Sequence, residues 1–128
     1  MRKINSIIVI YNKYSGSYSE NKINGIYTFL KNIHSNVILK CSKYIGDIHD
    51  LCSLLPPNII IVSCGGDGIL HQIFNGLNHN INSEKIYIAT IPMGSGNHLA
   101  KQNKCHNIKD CLDKIVLFLN SGYLNEIN

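Results

Sequence analysis

Three stretches of this chain are short, rich in β-branched residues and apolar without alternation: Ser6–Tyr11 (SIIVIY), Asn58–Ser63 (NIIIVS) and Ile86–Ile91 (IYIATI). A strand with one face in water alternates apolar and polar residues, whereas a continuous apolar run must be buried on both faces. Val37–Cys41 reads as a further strand. The segments between them carry a helical period instead. Asn21–Ile33 places Ile23, Ile26, Tyr27 and Leu30 on one face, and Gly68–Leu77 turns Ile69, Ile73, Phe74 and Leu77 inward. Asp47–Leu55 is a short helix stopped by Pro56-Pro57, and Ile108–Leu119 repeats Ile108, Leu112, Ile115, Val116 and Leu119 at helical spacing. Strands buried on both faces, alternating with helices, specify an α/β fold: a three-layer, Rossmann-like parallel sheet with helices on both faces. At 128 residues the chain has the size of one domain.

Composition narrows the function classes. A hydrophobic content of 45% with 16% charged residues belongs to a globular protein rather than a disordered tail. The net charge of +4 is spread over scattered lysines such as Lys13, Lys22, Lys43, Lys85 and Lys101, without a basic run. That pattern argues against nucleic acid as a partner, and it suits a phosphate site or peripheral contact with an anionic membrane. The five cysteines form no CxxC and the six histidines no HExxH, so no zinc-binding set is expected and the thiols read as free. The first apolar run is only Ile7–Ile10, too short for a signal peptide or a membrane span, and the expected location is the cytoplasm.

Three of the four strands run into glycine-containing loops: Asn12–Gly16, Gly65–Gly68 and Gly94–Gly96. In an open parallel sheet, ligands bind at the carboxyl ends of the strands, where these loops gather. Glycine leaves backbone N–H groups bare to a polyanion, and the second and third loops each lead into a helix whose N-terminus favours negative charge. The pattern points to a phosphate site, and to a nucleotide as its ligand. Asp67, inside Gly65-Gly66-Asp67-Gly68, has two readings. It could cap the helix, as Asn would do equally well. A carboxylate among phosphate-binding amides could also hold Mg²⁺ or accept a proton from an attacking hydroxyl, and Asn could do neither. His71, on a turn that buries Ile69 and Ile73, reads as structural.

The chain has no GxxxxGK[ST], no kinase GxGxxGxV or HRD, and no GxGxxG after its first strand. The order of its motifs resembles another family, the diacylglycerol kinase catalytic domain, and in particular its sphingosine and ceramide kinase branch. The resemblance rests on Asn12-Lys13-Tyr14-Ser15-Gly16 after the first strand and Ser42-Lys43-Tyr44-Ile45-Gly46 after the second. It continues with Gly65-Gly66-Asp67-Gly68-Ile69-Leu70-His71-Gln72-Ile73-Phe74-Asn75-Gly76-Leu77 and Pro92-Met93-Gly94-Ser95-Gly96-Asn97. It covers nearly the whole chain, and its specificity lies in the ordered set, since GGDG alone also occurs in NAD kinases.

The resemblance implies an ATP-dependent lipid kinase. ATP would be held by Asn12, Lys13 and Tyr14, by Ser42–Gly46, and by Gly94, Ser95, Gly96 and Asn97, with Gly65, Gly66 and Gly68 at the phosphates and Gln72 near the nucleotide. Asp67 would activate the hydroxyl of a sphingoid base or diacylglycerol, with Mg²⁺ as cofactor. PxGSGN followed by His98-Leu99-Ala100 is closer to the sphingosine kinase branch than to bacterial diacylglycerol kinases, which usually carry Asp where His98 stands. The family's proline is Lys13 here, and its HE is His71-Gln72, which removes an acid expected near the nucleotide. The chain stops at Asn128, where the family's β-rich, lipid-binding second domain would begin, and the core accounts for its apolar residues without leaving a lipid pocket. The expectation is therefore the nucleotide-binding half of a lipid kinase. A catalytically silent nucleotide-binding module of a truncated or two-chain lipid kinase is the alternative, and an NAD kinase-like enzyme is a weaker one.

Overall fold

The computed structural model of the chain describes residues 3–14, 16, 18–93 and 107–121. Among these, β1 (Ser6–Tyr11), β2 (Val37–Cys41), β3 (Ile59–Cys64) and β4 (Ile86–Ile91) form one parallel sheet in the order β2-β1-β3-β4. The register sets Ile7 beside Val37 on one side and beside Ile60 on the other, and Ile60 beside Tyr87. Every residue of β3 is buried, as are the first five of β1. The edge strand β2 is the most open of the four, and it carries Lys40. An edge strand with a lysine is a poor template for pairing with another chain.

Helices α1 (Glu20–Ile33) and α4 (Ile108–Ser121) cover one face of the sheet, and α2 (Asp47–Ser53) and α3 (Asp67–Leu77) cover the other. On the first face Ile23, Ile26 and Leu30 of α1 meet Ile7, Val9 and Val62, together with Leu112, Ile115 and Phe118 of α4. On the second, Ile48 and Cys52 of α2 and Ile69, Leu70 and Ile73 of α3 meet Ile8, Ile10 and Ile61. Each fully buried aliphatic side chain of this kind stabilises the fold by about 1.5–3 kcal/mol. The α/β architecture expected from the sequence is therefore the one observed. Among the described residues no helix is long and apolar enough to cross a membrane.

The differences from expectation are local. Helix α2 ends at Ser53 rather than Leu55, because a residue before proline is pushed out of the helical region. Pro56-Pro57 is followed by Asn58 at φ 66°, and β3 starts one residue later than the apolar run suggests. On α3 the buried stripe takes Leu70 in place of Phe74, which lies on its flank and is 40% exposed. The core does not absorb all the apolar residues either, since Ile45, Leu54 and Ile81 stand in solvent.

Helices α2 and α3 lie very close together, and Gly76 makes this approach feasible. A β-carbon there would sit 2.5 Å from the His49 carbonyl oxygen and 2.8 Å from Cys52 Cβ. Buried Asn80 fastens the same pair, donating from Nδ2 to the carbonyls of Cys52 (2.7 Å) and Leu55 (3.0 Å), which the end of α2 leaves unpaired. Gly76→Ala is expected to cost about 1–3 kcal/mol, the usual range for overpacking. At Gly25, exposed on α1 with nothing within 4 Å of a built Cβ, the same change should stabilise by about 0.5–1 kcal/mol. Urea unfolding of the two variants checks this pair, and equal effects would contradict the close approach.

Candidate functional site

Because all four strands are parallel, their carboxyl ends share one edge. From β1 the chain leaves to α1 on one face, and from β3 it leaves to α3 on the other. The gap between the ends of β1 and β3 is thus the point where the chain direction switches, the usual ligand crevice of such sheets. The loops after β1 and β2 meet α3 there around an open cavity of about 170 Å³. Asn12, Tyr14, Ser42 and Gln72, four of the residues singled out in the sequence, line it together with Lys43, Tyr44 and Ile45. Among these lining residues Lys43 is the one charged side chain.

The loops are ordered by their own side chains. Asn12 Oδ1 accepts from the Tyr14 N–H at 2.8 Å, a local turn that shapes the chain leaving β1. Tyr11 stacks on Tyr18, with ring centroids 5.9 Å apart, and braces the far side of that loop. Lys13 does not line the cavity; its ammonium lies 5.6 Å from the centroid of the Tyr14 ring. In the second loop, Asp47 folds back from the first position of α2. Its carboxylate accepts from Ser42 Oγ at 3.0 Å and from the Lys43 N–H at 2.7 Å. Gly46, at φ 94°, supplies the left-handed turn that allows this, and it too stands off the cavity.

Asp47 was not singled out in the sequence. Its signal is the repeat of Gly-Asp at two helix starts, Gly46-Asp47 and Gly66-Asp67. The structure gives the two aspartates opposite environments. Asp47 is buried, which raises its pKa, but the amides of Lys43, Tyr44 and Ile48 and the Ser42 hydroxyl outweigh burial and hold the carboxyl below its ordinary value. Asp67 is exposed and makes no hydrogen bond or ion pair among the described residues. The cap of α3 is Gly66, and Asp67 is the first helical residue, so the capping reading of Asp67 is corrected.

The glycines around Asp67 divide into two kinds. Gly65 is buried at φ 143°, a conformation that side chains rarely adopt, and its N–H reaches the Ile91 carbonyl at 3.3 Å. Gly66 and Gly68 are exposed, and a Cβ at either would meet nothing within 4 Å. A side chain at either position would thus meet open space among the described residues. Gly68 and Gln72 are four residues apart and so share one face of α3, about 6 Å along its axis. The start of the helix and the cavity at Gln72 therefore adjoin.

Gly94, Ser95, Gly96 and Asn97 lie outside the described residues, as does His98. Their loop begins beyond Met93, whose carbonyl accepts from Lys22 Nζ at 3.5 Å. No sequence signal joins residues 22 and 93, because only the packing of α1 brings them together. His71 is exposed rather than built into the core. Cys64, at the end of β3 beneath the glycine loop, is buried and its thiol is pushed up to about 12, so it is not a nucleophile here. Cys52 and Cys111 are likewise buried. Among the described residues no group of three or more His, Cys, Asp or Glu side chains could hold a metal ion.

Folding lowers the pKa of Asp47, so the unfolded chain binds this proton more readily than the folded one. The resulting stabilisation is complete above the unfolded carboxyl value of about 3.9 and is lost as the pH falls through the lower folded value. Asp47→Asn is expected to cost about 1–3 kcal/mol at neutral pH, the range for an impaired buried hydrogen-bond set. The gap to the parent should close below about pH 4, as the parent's own carboxyl takes up its proton. Chemical unfolding at a series of pH values measures both; a gap independent of pH would show that the charge of Asp47 is immaterial.

Comparison with known proteins agrees with this fold. The sequence matches the diacylglycerol kinase catalytic domain over residues 6–122. A solved structure of a diacylglycerol kinase from Bacillus anthracis strain Sterne superposes with a TM-score of 0.72 at 22% identity, over 88% of this chain and 43% of that one. Two further solved structures from the same organism give TM-scores of 0.71 and 0.72, each at 22% identity over 88% of this chain and 39% of theirs. The chain therefore spans about two fifths of the length of these proteins. A comparison with curated proteins returned no match. With the family match running from the first strand to the end of the last described helix, the chain belongs to the diacylglycerol kinase catalytic domain family.

Proposed function

We propose that this chain is the nucleotide-binding part of an ATP-dependent lipid kinase of the sphingosine kinase type. The observation that carries the reading is Asp67, a carboxylate at the head of α3 that neither caps the helix nor pairs with a neighbour among the described residues. It stands between Gly66 and Gly68, where the backbone is open on the side chain's side. A helix N-terminus with bare amides suits phosphate, and a lone carboxylate beside it suits a hydroxyl that must lose its proton during attack.

The donor set also fits Mg²⁺. This ion is usually held by one or two carboxylates together with the substrate's phosphates, rather than by a protein cage. Asp67 is the residue that would hold it, and the ion would neutralise charge on the phosphoryl group in transfer. The chain's own contribution is positioning: amides of α3 at the phosphates, Lys43 beside the cavity, and loops braced by Asn12 and Asp47. The sphingosine-type assignment rests on Pro92–Asn97 followed by His98-Leu99-Ala100.

The acyl chain of a lipid needs more room than this site offers. A cavity of about 170 Å³ is smaller than the roughly 300–1,000 Å³ of pockets that enclose a whole small ligand. We assign the lipid pocket to a second, β-rich domain or partner chain. The chain alone is then expected to bind Mg-ATP and to transfer no phosphate to sphingosine or diacylglycerol in micelles. Addition of a β-rich domain from a related lipid kinase should bring transfer, and robust transfer by the lone chain would overturn the division of labour.

Two substitutions test the site itself. With the β-rich domain added, Asp67→Asn should leave the affinity for metal-free ATP unchanged or slightly improved and cut turnover by at least about 10²-fold, the low end for loss of a general base. Gly68→Asp should abolish ATP binding while the domain stays folded, since a side chain there meets open space in the fold but occupies the phosphate approach. Titration calorimetry and radiolabelled phosphate transfer read these out. Near-normal turnover in the Asp67 variant would leave its carboxylate without a catalytic role.

A further inference from the structure

Gln72 Oε1 is a buried side-chain oxygen with no hydrogen-bond partner, and no other buried side-chain polar atom among the described residues is left in this state. Buried polar atoms without partners are rare in folded proteins, and each calls for a specific explanation. This one belongs to a residue that lines the cavity. Phosphate oxygens bring no donor to an acceptor, so an orphaned oxygen is not built for the polyanionic end of a nucleotide. The surroundings suit a flat ring instead. Tyr14, Tyr44 and Ile45 line the same cavity while 77%, 67% and 99% exposed, a large apolar surface for a base to cover.

The amide of Gln72 also has two equivalent uses. No hydrogen bond among the described residues holds either its oxygen or its nitrogen. The terminal torsion of Gln is broad and roughly two-fold, so half a turn exchanges acceptor and donor between the buried side and the cavity at little cost. Facing the cavity, the oxygen accepts from the N6 amino group of adenine. The nitrogen donates to O6 of guanine. A carboxylate at this position is acceptor-only, so it would serve adenine and oppose the O6 lone pairs of guanine.

We infer that Gln72 sets the nucleobase tolerance of the site and that this chain accepts both purine nucleoside triphosphates. The inference rests on the reading of the cavity as part of a nucleotide site, and it adds which nucleotides enter and which residue decides. Gln72 acts here by contact with the base, at a distance of one helical turn from the amides that receive the phosphates.

The test is titration calorimetry of the full chain with Mg-ATP, Mg-GTP and Mg-tripolyphosphate. For the parent protein, the two nucleotides should bind within about threefold of each other, less than the smallest penalty usual for a mispaired base. Gln72→Glu should open a gap of about tenfold or more in favour of ATP, chiefly by loss of GTP, with tripolyphosphate affinity changed equally little for both. Gln72→Leu should weaken both nucleotides together and leave their ratio near that of the parent. A parent ratio beyond about threefold, or a ratio that Gln72→Glu leaves unchanged, overturns the inference while the nucleotide site stands. If neither nucleotide nor tripolyphosphate binds, the nucleotide site itself is wrong and the inference falls with it.

Discussion

The pairing of β1 with β3 at the centre of the sheet is the contact on which the rest of the molecule depends. Ile7, Ile8 and Val9 stand in register with Ile60, Ile61 and Val62, all buried, and their side chains alternate between the two cores. Crossovers between parallel strands are right-handed, so a chain moving outward from β1 to β2 must place α1 on one face. Returning across β1 to β3 and on to β4 places α2 and α3 on the other. The crevice between the ends of β1 and β3 follows from this order. Neither loop needs to be built for binding on its own account; the topology brings them together.

Within that crevice the protein keeps one part rigid and leaves another open. The loop after β2 is closed on itself by Asp47, whose charge is satisfied by backbone amides and the Ser42 hydroxyl. Among the described residues the start of α3 has no such closure: its cap is a glycine, its first side chain is a carboxylate without a partner, and side chains at Gly66 or Gly68 would meet open space. A preorganised wall lowers the cost of association for any ligand that needs it in that shape. The close α2–α3 contact at Gly76 holds the wall and the open helix in fixed relation.

Two Gly-Asp pairs show how far residue identity carries. Both place aspartate after a glycine at the first position of a helix that follows a parallel strand, flanked by Ile45 and Ile48 in one case and by Gly65 and Gly68 in the other. In Gly46-Asp47 the glycine is left-handed and turns the carboxylate back into the loop. In Gly66-Asp67 the glycine is extended and the carboxylate faces outward. The difference is a backbone angle set by the packing of each helix, and it separates a structural aspartate from the candidate catalytic one.

The alternation of doubly apolar runs with helical periods was enough to define the fold class, because parallel strands covered on both faces have no other way to satisfy their side chains. The glycine loops at strand ends were legible for a related reason, since bare backbone at that edge has few uses besides tight turning and anion binding. The sequence also marked Asn12, Tyr14, Ser42 and Gln72, which do meet around one cavity. It did not show that Asn12 and Ser42 are partly occupied in shaping their own loops, or that Asp47 holds the second loop. Nor did it show that Lys22 reaches the Met93 carbonyl or that Gln72 carries an unmet oxygen. Such features depend on which groups lie within about 3 Å of one another, the range of a hydrogen bond. Periodicity constrains which face a residue takes, but only the packed tertiary structure decides which atoms on that face meet.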